Sequence, residues 1–438
     1  MSIIPSQDSL RVEAPADPVA TNYSYYVLIL LTVIATVNVV DRQVMSLLAQ
    51  SVKQELDLTD SQLGLIMGPA TGLVFAVAGI PLARLADRTS RKWVIGGCLF
   101  FFSFASAACG LVTSFLQLLV ARISVAAGEA GTLPASQSLI SGLFPRSRLT
   151  IALTFLAGSH AIGTLIAFVA GGYVASHFGW RDAFIIISAP GLAVLLLFIF
   201  TVRDHRLPKR AKTEATDSKR VGTLRFLWSR PSFRNTCFAY ALYMVGTYSI
   251  LLWMPAYFSR SFGLDTRTIG WIMGIAVGIF GFSGSLLLGW FTQRLAIRDM
   301  RWNLWAVALA AVAGLPFLWA TLLSTNLTMV FVIGLVPALI CNFHQGPSIT
   351  VIQSLAPPEM KSEASALCIL IISIIAGSLG PLAAGMLSDL LHSSFGADSL
   401  RYVFLIMSLC WPAAAFFYWR ASRTLKAGLA TVAERQNG

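Results

Sequence analysis

A chain of 438 residues with 56% hydrophobic and 12% charged side chains, and a mean hydropathy of +0.72, lacks the make-up of a soluble domain, which carries about 25% charged residues. The composition excludes an ordinary soluble enzyme, a disordered chain and the common nucleic-acid-binding domains, and it leaves a polytopic membrane protein. The +12 net charge and pI near 9.7 are therefore to be mapped onto loops, with no nucleic acid partner implied.

A helix needs about 20 apolar residues to cross about 30 Å of hydrocarbon. Twelve such runs follow in chain order: Tyr25–Leu48, Leu63–Leu82, Trp93–Val112, Phe115–Leu143, Leu149–Ser176 and Ala183–Val202 are spans 1 to 6. Asn235–Ser259, Ile269–Thr292, Trp302–Ser324, Leu327–Leu355, Ala364–Ser388 and Tyr402–Trp419 are spans 7 to 12. The runs are continuous rather than alternating, which argues for helices and against a barrel. The expected fold class is an all-α membrane protein. The first 22 residues hold Asp8, Arg11, Glu13 and Asp17, and the first run is a full span, so a retained N-terminus is expected rather than a cleaved signal peptide.

Charge sets the direction. Of the 32 Lys and Arg residues, 25 fall on the side of the two tails. Five, namely Lys53, Arg181, Arg260, Arg267 and Arg401, fall on the other side, and Arg42 and Arg122 lie within spans. The bias predicts both termini in the cytoplasm of a cell's inner (plasma) membrane. Cys98, Cys109, Cys237, Cys341, Cys368 and Cys410 all lie in spans without metal-like spacing and read as small packing residues, with no metal site.

The polar interval Arg203–Arg234, with ten basic residues, divides the spans six and six. The expected organisation is an N-terminal tail (1–24), a six-helix bundle (25–202), a linker (203–234), a second bundle (235–419) and a C-terminal tail (420–438). Leu224-Arg225-Phe226-Leu227-Trp228 reads as a short interfacial segment. The halves echo one another: Phe178-Gly179 with Arg181 after span 5, and Phe395-Gly396 with Arg401 after span 11. Repeated halves around a central site are a transporter design. Glycines at 64, 68 and 72 on span 2 and at 270, 274 and 278 on span 8 form stripes that let helices approach closely, as moving or as static interfaces.

Four ionised side chains sit inside the spans: Asp41 and Arg42 on span 1, Arg122 and Glu129 on span 4. Each costs about 2.5–3.5 kcal/mol at mid-bilayer unless it is paired or wetted. At 1.5 Å per residue, Asp41 and Arg122 come to similar depth, while Glu129 lies about 10 Å deeper, near mid-membrane. Asp41 is expected beside Arg122, and Glu129 in a central cavity. One reading is a proton- and substrate-responsive switch, in which protonating Asp41 or Glu129 leaves a net positive cluster that attracts an anion. The other is a static ion network holding span 1 to span 4. Asn342, His344 and Gln345 on span 10 and Tyr240, Tyr243, Tyr248 and Trp253 on span 7 could line the cavity. His160 and His344 could relay protons or serve as packing.

Between spans 2 and 3, Gly79 through Lys92 sets Asp87 among Arg84, Arg88, Arg91 and Lys92, an arrangement suited to a charge latch at helix ends. The loop resembles the signature of the major facilitator superfamily, except that Ser90 stands where glycine is common and Gln293 replaces the expected Asp in the second copy. Asn38-x-x-Asp41-Arg42, Arg88-Thr89-Ser90-Arg91-Lys92-Trp93, Arg122-x5-Gly128-Glu129-Ala130 with Pro134, Gly179-Trp180-Arg181-Asp182-Ala183-Phe184 and Trp253-Met254-Pro255-Ala256-Tyr257 are similar to the spinster-type members.

The resemblance implies two pseudo-symmetric six-helix bundles and alternating access. It implies proton coupling through Asp41 and Glu129, with the proton gradient as driving force and no cofactor. Arg42, Arg122, Tyr240, Tyr243, Asn342 and His344 would form the substrate and charge network, and Arg84, Asp87, Arg88, Arg91 and Lys92 the cytoplasmic latch. The substrate implied is an amphipathic, lipid-like molecule of lysophospholipid or sphingoid type. The anion–cation symporters share the span 1 and span 4 charges, so a small organic carboxylate stays open. The implied partners are the lipid bilayer, the substrate and protons, and the implied state is a monomer. A lipid-modifying enzyme would need a nucleophile or metal cluster that the spans lack, and a non-transporting sensor would need an output domain.

Overall fold

The computed structural model describes residues 20–203 and 225–437. The tail through residue 19, linker residues 204–224, Gly438 and the side chain of Asp87 lie outside the described residues. Among the described residues the chain is helical, without strands.

Among the described residues, nine helical stretches, some interrupted by a turn, are long and apolar enough to cross a membrane. Two of them are doubles: Ser147–Thr201 holds spans 5 and 6, and Glu363–Val432 holds spans 11 and 12. Span 4, interrupted at Ala130-Gly131 between Phe115–Glu129 and Thr132–Leu143, completes the twelve. The Phe-Gly echo marks the two turns inside the doubles. Gly179 has φ 81 and Gly396 has φ 55, a region in which a Cβ is strained.

Span 1 is longer than the bilayer requires. It runs from Asn22 to Leu56, opened by a capping box between Thr21 and Ser24 and closed by Asp57 in the left-handed region. The last helix, Cys410–Asn437, continues span 12 through the region expected as a tail. Ala421 and Leu425 on it are fully buried. Trp305 Nε1 donates to Ser422 Oγ at 2.9 Å, and Arg230 Nη1 donates to Gly428 O at 3.0 Å. The segment before span 7 is anchored too: Leu227 is buried, and the Arg230 guanidinium lies 3.9 Å over the Phe226 ring.

The two bundles pack alike. Span 3 lies along span 4 and the span 5–6 double, and span 9 lies along spans 10 and 12. Glycine seams join the halves. A Cβ on Gly64 would stand 2.7 Å from the Pro381 carbonyl oxygen, and one on Gly172 would stand 2.8 Å from that of Thr266. Gly68 and Gly72 meet Ser378 and Gly377, and Gly270 meets Phe168. The seams therefore pair span 2 with span 11 and span 5 with span 8.

Candidate functional site

The face away from the termini is shut by charge as well as by glycine. Asp60, 1% exposed, opens span 2. Its carboxylate accepts from Arg260 Nη1 and Nη2 at 2.7 and 2.6 Å, from Lys53 Nζ at 2.7 Å and from Ser388 Oγ at 2.7 Å. Asp389 of span 11 returns the contact, accepting the backbone N–H groups of Asp60 and Ser61 at 2.9 and 2.7 Å. A carboxylate at a helix N-terminus satisfies orphan donors and meets the favourable end of the dipole. Arg260 Nε also donates to Gln50 Oε1, and Ser46 Oγ to Leu252 O. Each of these ties except Lys53 to Asp60 crosses between bundles.

From mid-helix toward the terminus-bearing face the bundles part around a cavity of about 570 Å³. Arg42 and Glu129 stand on its wall with Asn38, Gln137, His160 and Asn342. Arg42 Nη2 donates to Glu129 Oε2 at 2.7 Å; the arginine side chain is 39% exposed and the glutamate 4%. The guanidinium also lies 5.4 Å from the Phe75 ring centroid. Glu129 Oε1 is buried without a hydrogen-bond partner. Asn38 Nδ2 donates to Thr132 Oγ1 at 2.7 Å, and Thr132 donates to the Glu129 carbonyl at 2.7 Å. This bridge satisfies the backbone where span 4 breaks, just past Glu129, and so fixes that carboxylate at the cavity edge.

Asp41 and Arg122 lie deeper within the first bundle. Arg122 Nη1 donates to Asp41 Oδ2 at 2.8 Å with both side chains 2% exposed, and Ser106 Oγ donates to Asp41 Oδ1. Asp41 thus lies beside Arg122, and Glu129 at the central cavity, as their depths along the spans require. Both pairs belong to one electrostatic cluster, but only Arg42 and Glu129 border the cavity. The reason is helix geometry: Asp41 and Arg42 are successive residues, about 100° apart around span 1.

The second bundle also departs from expectation. Asn342 and Gln345 line the cavity. Tyr240, Tyr243 and His344, expected beside them, are buried with one another instead, 6%, 0% and 0% exposed. Tyr243 donates to the Ile340 carbonyl at 3.0 Å. Trp253 is buried as well, and its Nε1 donates to Pro381 O at 3.1 Å. These rings follow the apolar face of their helices into the bundle core.

The latch residues stand at the parted face. Span 2 ends at Arg88 and span 3 begins at Arg91 behind a Ser90 N-cap. Arg91 Nε donates to Ser138 Oγ on span 4 at 2.7 Å, Lys92 Nζ lies 5.6 Å over the Trp93 ring, and Arg84 and Arg88 are exposed. The far-side lock escaped the sequence reading. A capping box at Thr59-x-x-Gln62 marks the start of span 2, but nothing local pairs Asp60 with residues 200 and 328 positions away. No cluster of three or more metal-ligating side chains occurs among the described residues.

Two six-helix bundles, glycine seams and a central cavity with an ion pair on its wall define a membrane transporter. Residues 30–381 match the Major Facilitator Superfamily, and the chain belongs to that family, as a spinster-type member. It is 34% identical over 396 residues to an MFS-type efflux pump of Mycolicibacterium smegmatis, covering 90% of this chain and 91% of that one. It is 25% identical to a probable L-galactonate transporter of Escherichia coli, covering 86% and 88%. Among solved structures it superposes, with a TM-score of 0.84 and 25% identity, on a bacterial homologue of the human lysosomal transporter Spinster in an inward-facing, unoccupied conformation, covering 94% and 99%.

Proposed function

We propose that this secondary transporter is proton-coupled and moves an anionic amphiphile, a single polar head on an apolar tail, by alternating access. It does so as a monomer in a bacterial inner membrane with both termini cytoplasmic, without a cofactor. The observation that carries the reading is the Arg42–Glu129 pair, a half-exposed cation held at 2.7 Å by a buried carboxylate on the cavity wall. A proton on Glu129 neutralises the carboxylate and frees Arg42 for an anionic head. Loss of the proton restores the pair and displaces the head. Asp41 and Arg122 hold span 1 against span 4, so that protonation at Glu129 is felt by both helices, and Asp41 is the second candidate proton carrier. With the termini in the cytoplasm the conformation is inward-facing, as in the spinster homologue. The latch around Asp87 would then form on the opposite stroke.

The amphiphile is favoured by the spinster relationship. A small organic anion is the second reading. It is favoured by the polar wall of Asn38, Gln137, Asn342 and Gln345 and by the sugar-acid transporter among the relatives.

The test is purified protein in liposomes, assayed with a panel of lysolipids and organic acids with and without an imposed pH gradient. Gradient-driven accumulation of a lysolipid, lost in Glu129→Gln, supports the proposal. Accumulation confined to organic acids selects the second reading, and accumulation that ignores the gradient removes proton coupling.

A further inference from the structure

Span 10 is helical from Leu327 to Ile340 and again from Gln345 to Ser354, with turn between. At this break Asn342 and Gln345 face the cavity. His344, between them, faces the other way and is fully buried. Its ring stacks on Tyr243 at 4.3 Å and meets Tyr240 edge-on at 5.2 Å. Neither Nδ1 nor Nε2 makes a well-formed hydrogen bond among the described residues; the one backbone acceptor close to the ring is the Cys341 carbonyl, one turn back.

Packing does not account for a histidine here. Phenylalanine would stack on the same tyrosines and leave no polar atom unpaired, whereas a buried imidazole whose nitrogens find at best one strained backbone partner costs free energy in this conformation. A residue that is costly in one state is explained by its use in another.

Three features give the ring a way out. The helix is already broken at residues 341–344. Span 8 faces that break with a π-helical stretch, Gly274–Gly281, an irregularity that concentrates at functional sites. There a Cβ on Gly281 would stand 3.2 Å from Cys341 Sγ and 3.4 Å from the Ala338 carbonyl oxygen. A void of about 100 Å³ adjoins the stack, lined by Ala338, Cys341, Trp411 and Val277, and Val277 also lines the central cavity. Neighbouring helical residues differ by about 100°, so one such swing replaces Gln345 with His344 at the cavity wall.

We propose that His344 is a further proton-binding residue, dry in this conformation and wetted when span 10 turns at residues 341–344 as the far side opens. This rests on the proton-coupled reading above. A proton from far-side water adds to the lone pair of the neutral ring at the cavity wall, where water hydrates the imidazolium. The proton returns to cavity water before the ring is buried again. The groups packed around the site are uncharged: Tyr240 and Tyr243 from span 7, Cys341 from span 10, Cys368 from span 11 beside Tyr240, and Tyr418 from span 12, which bonds Ser348. No Asp, Glu, Lys or Arg competes for the proton among the described residues there.

Diethyl pyrocarbonate footprinting of the full chain in nanodiscs, with peptide mapping, reads the wetting. Wild type is compared with Asp389→Asn, which loosens the far-side lock, and Gly68→Leu, which wedges the span 2–11 seam. The expected result is at least a tenfold faster modification of His344 in either variant, with slower modification of His160 as its cavity closes. Protection of His344 in both variants overturns the proposal. His344→Phe reads the proton: it should fold and melt at or above the wild-type temperature, while the pH profile of transport loses its inflection in the imidazole range. An unchanged profile overturns the proposal equally. Glu129→Gln decides the underlying proton-coupled reading separately, because the footprint requires no transport.

Discussion

At the scale of single residues, the two intramembrane ion pairs differ in what losing a partner does. Arg122 is 2% exposed, so Asp41→Asn leaves a buried guanidinium without its paired carboxylate. Stripping one partner from a buried pair costs about 3–5 kcal/mol. Arg42 is 39% exposed to the cavity and can turn to water, so Glu129→Gln should cost about 1 kcal/mol or less, in line with exposed pairs. We therefore expect Asp41→Asn to lower the melting temperature of the detergent-purified protein by several degrees, and Glu129→Gln to leave it within a degree or two while abolishing gradient-driven uptake. Equal melting temperatures for the two variants would mean that Asp41 is wetted as Glu129 is. The charges and their pairing by depth were legible in the sequence, because four ions in two helices have few ways to be neutral. Which pair faces water was not, because the rotation of span 1 is set by packing against helices far away in the chain.

At the scale of elements, the glycine stripes were legible as close-approach surfaces but not as to their partners. A stripe records that something comes near, and only the fold pairs span 2 with span 11 and span 5 with span 8. The pairing makes a prediction for Gly270, where a side chain would run into the Phe168 carbonyl. Gly270→Leu should part spans 5 and 8 on the far side and admit a membrane-impermeant thiol reagent to a cysteine introduced at Thr266. The same reagent should label that cysteine more slowly when Gly270 is intact, since Thr266 is only half-buried. Tyr240, Tyr243 and His344 misled for the same reason as span 1: aromatic and polar residues in a span do not declare which side of the helix meets the cavity. The loop between spans 8 and 9 is simpler. Asp299 accepts from Arg301 at 2.8 Å and lies 3.6 Å from Lys426 on the last helix. The hydrogen bond from Arg301 holds its carboxyl well below the usual range. A group so depressed contributes its tie fully above the ordinary carboxylate pKa and loses it only as pH falls through the lowered value. Transport measured between pH 5 and 8 should thus have the same pH profile in Asp299→Asn as in wild type, so this ion pair is no source of an inflection in that window.

At the scale of the whole molecule, the far side is held by a lock and the near side is open, so the resting population depends on the strength of that lock. Asp60 gathers Arg260, Lys53 and Ser388, while Asp389 caps the helix that Asp60 opens. Removing the bidentate arginine leaves Asp60 buried with one lysine, a loss of about 2–4 kcal/mol if the pair behaves as other desolvated pairs do. A shift of about 1.4 kcal/mol changes a two-state ratio tenfold, so Arg260→Ala should carry the equilibrium roughly one and a half to three orders of magnitude toward the far-side-open form. Double electron–electron resonance between spin labels on the far ends of spans 1 and 7, at the exposed Gln54 and at Ser261, would read this as growth of a longer-distance population. Binding at the cavity should weaken for ligand offered from the near side, because less of the protein then presents the near-side-open form. Arg260→Lys keeps the charge but loses the two-pronged contact and should fall between the two. If the distance distribution stays at its wild-type width in Arg260→Ala, the closure is carried by the glycine seams and the ion cluster only decorates it.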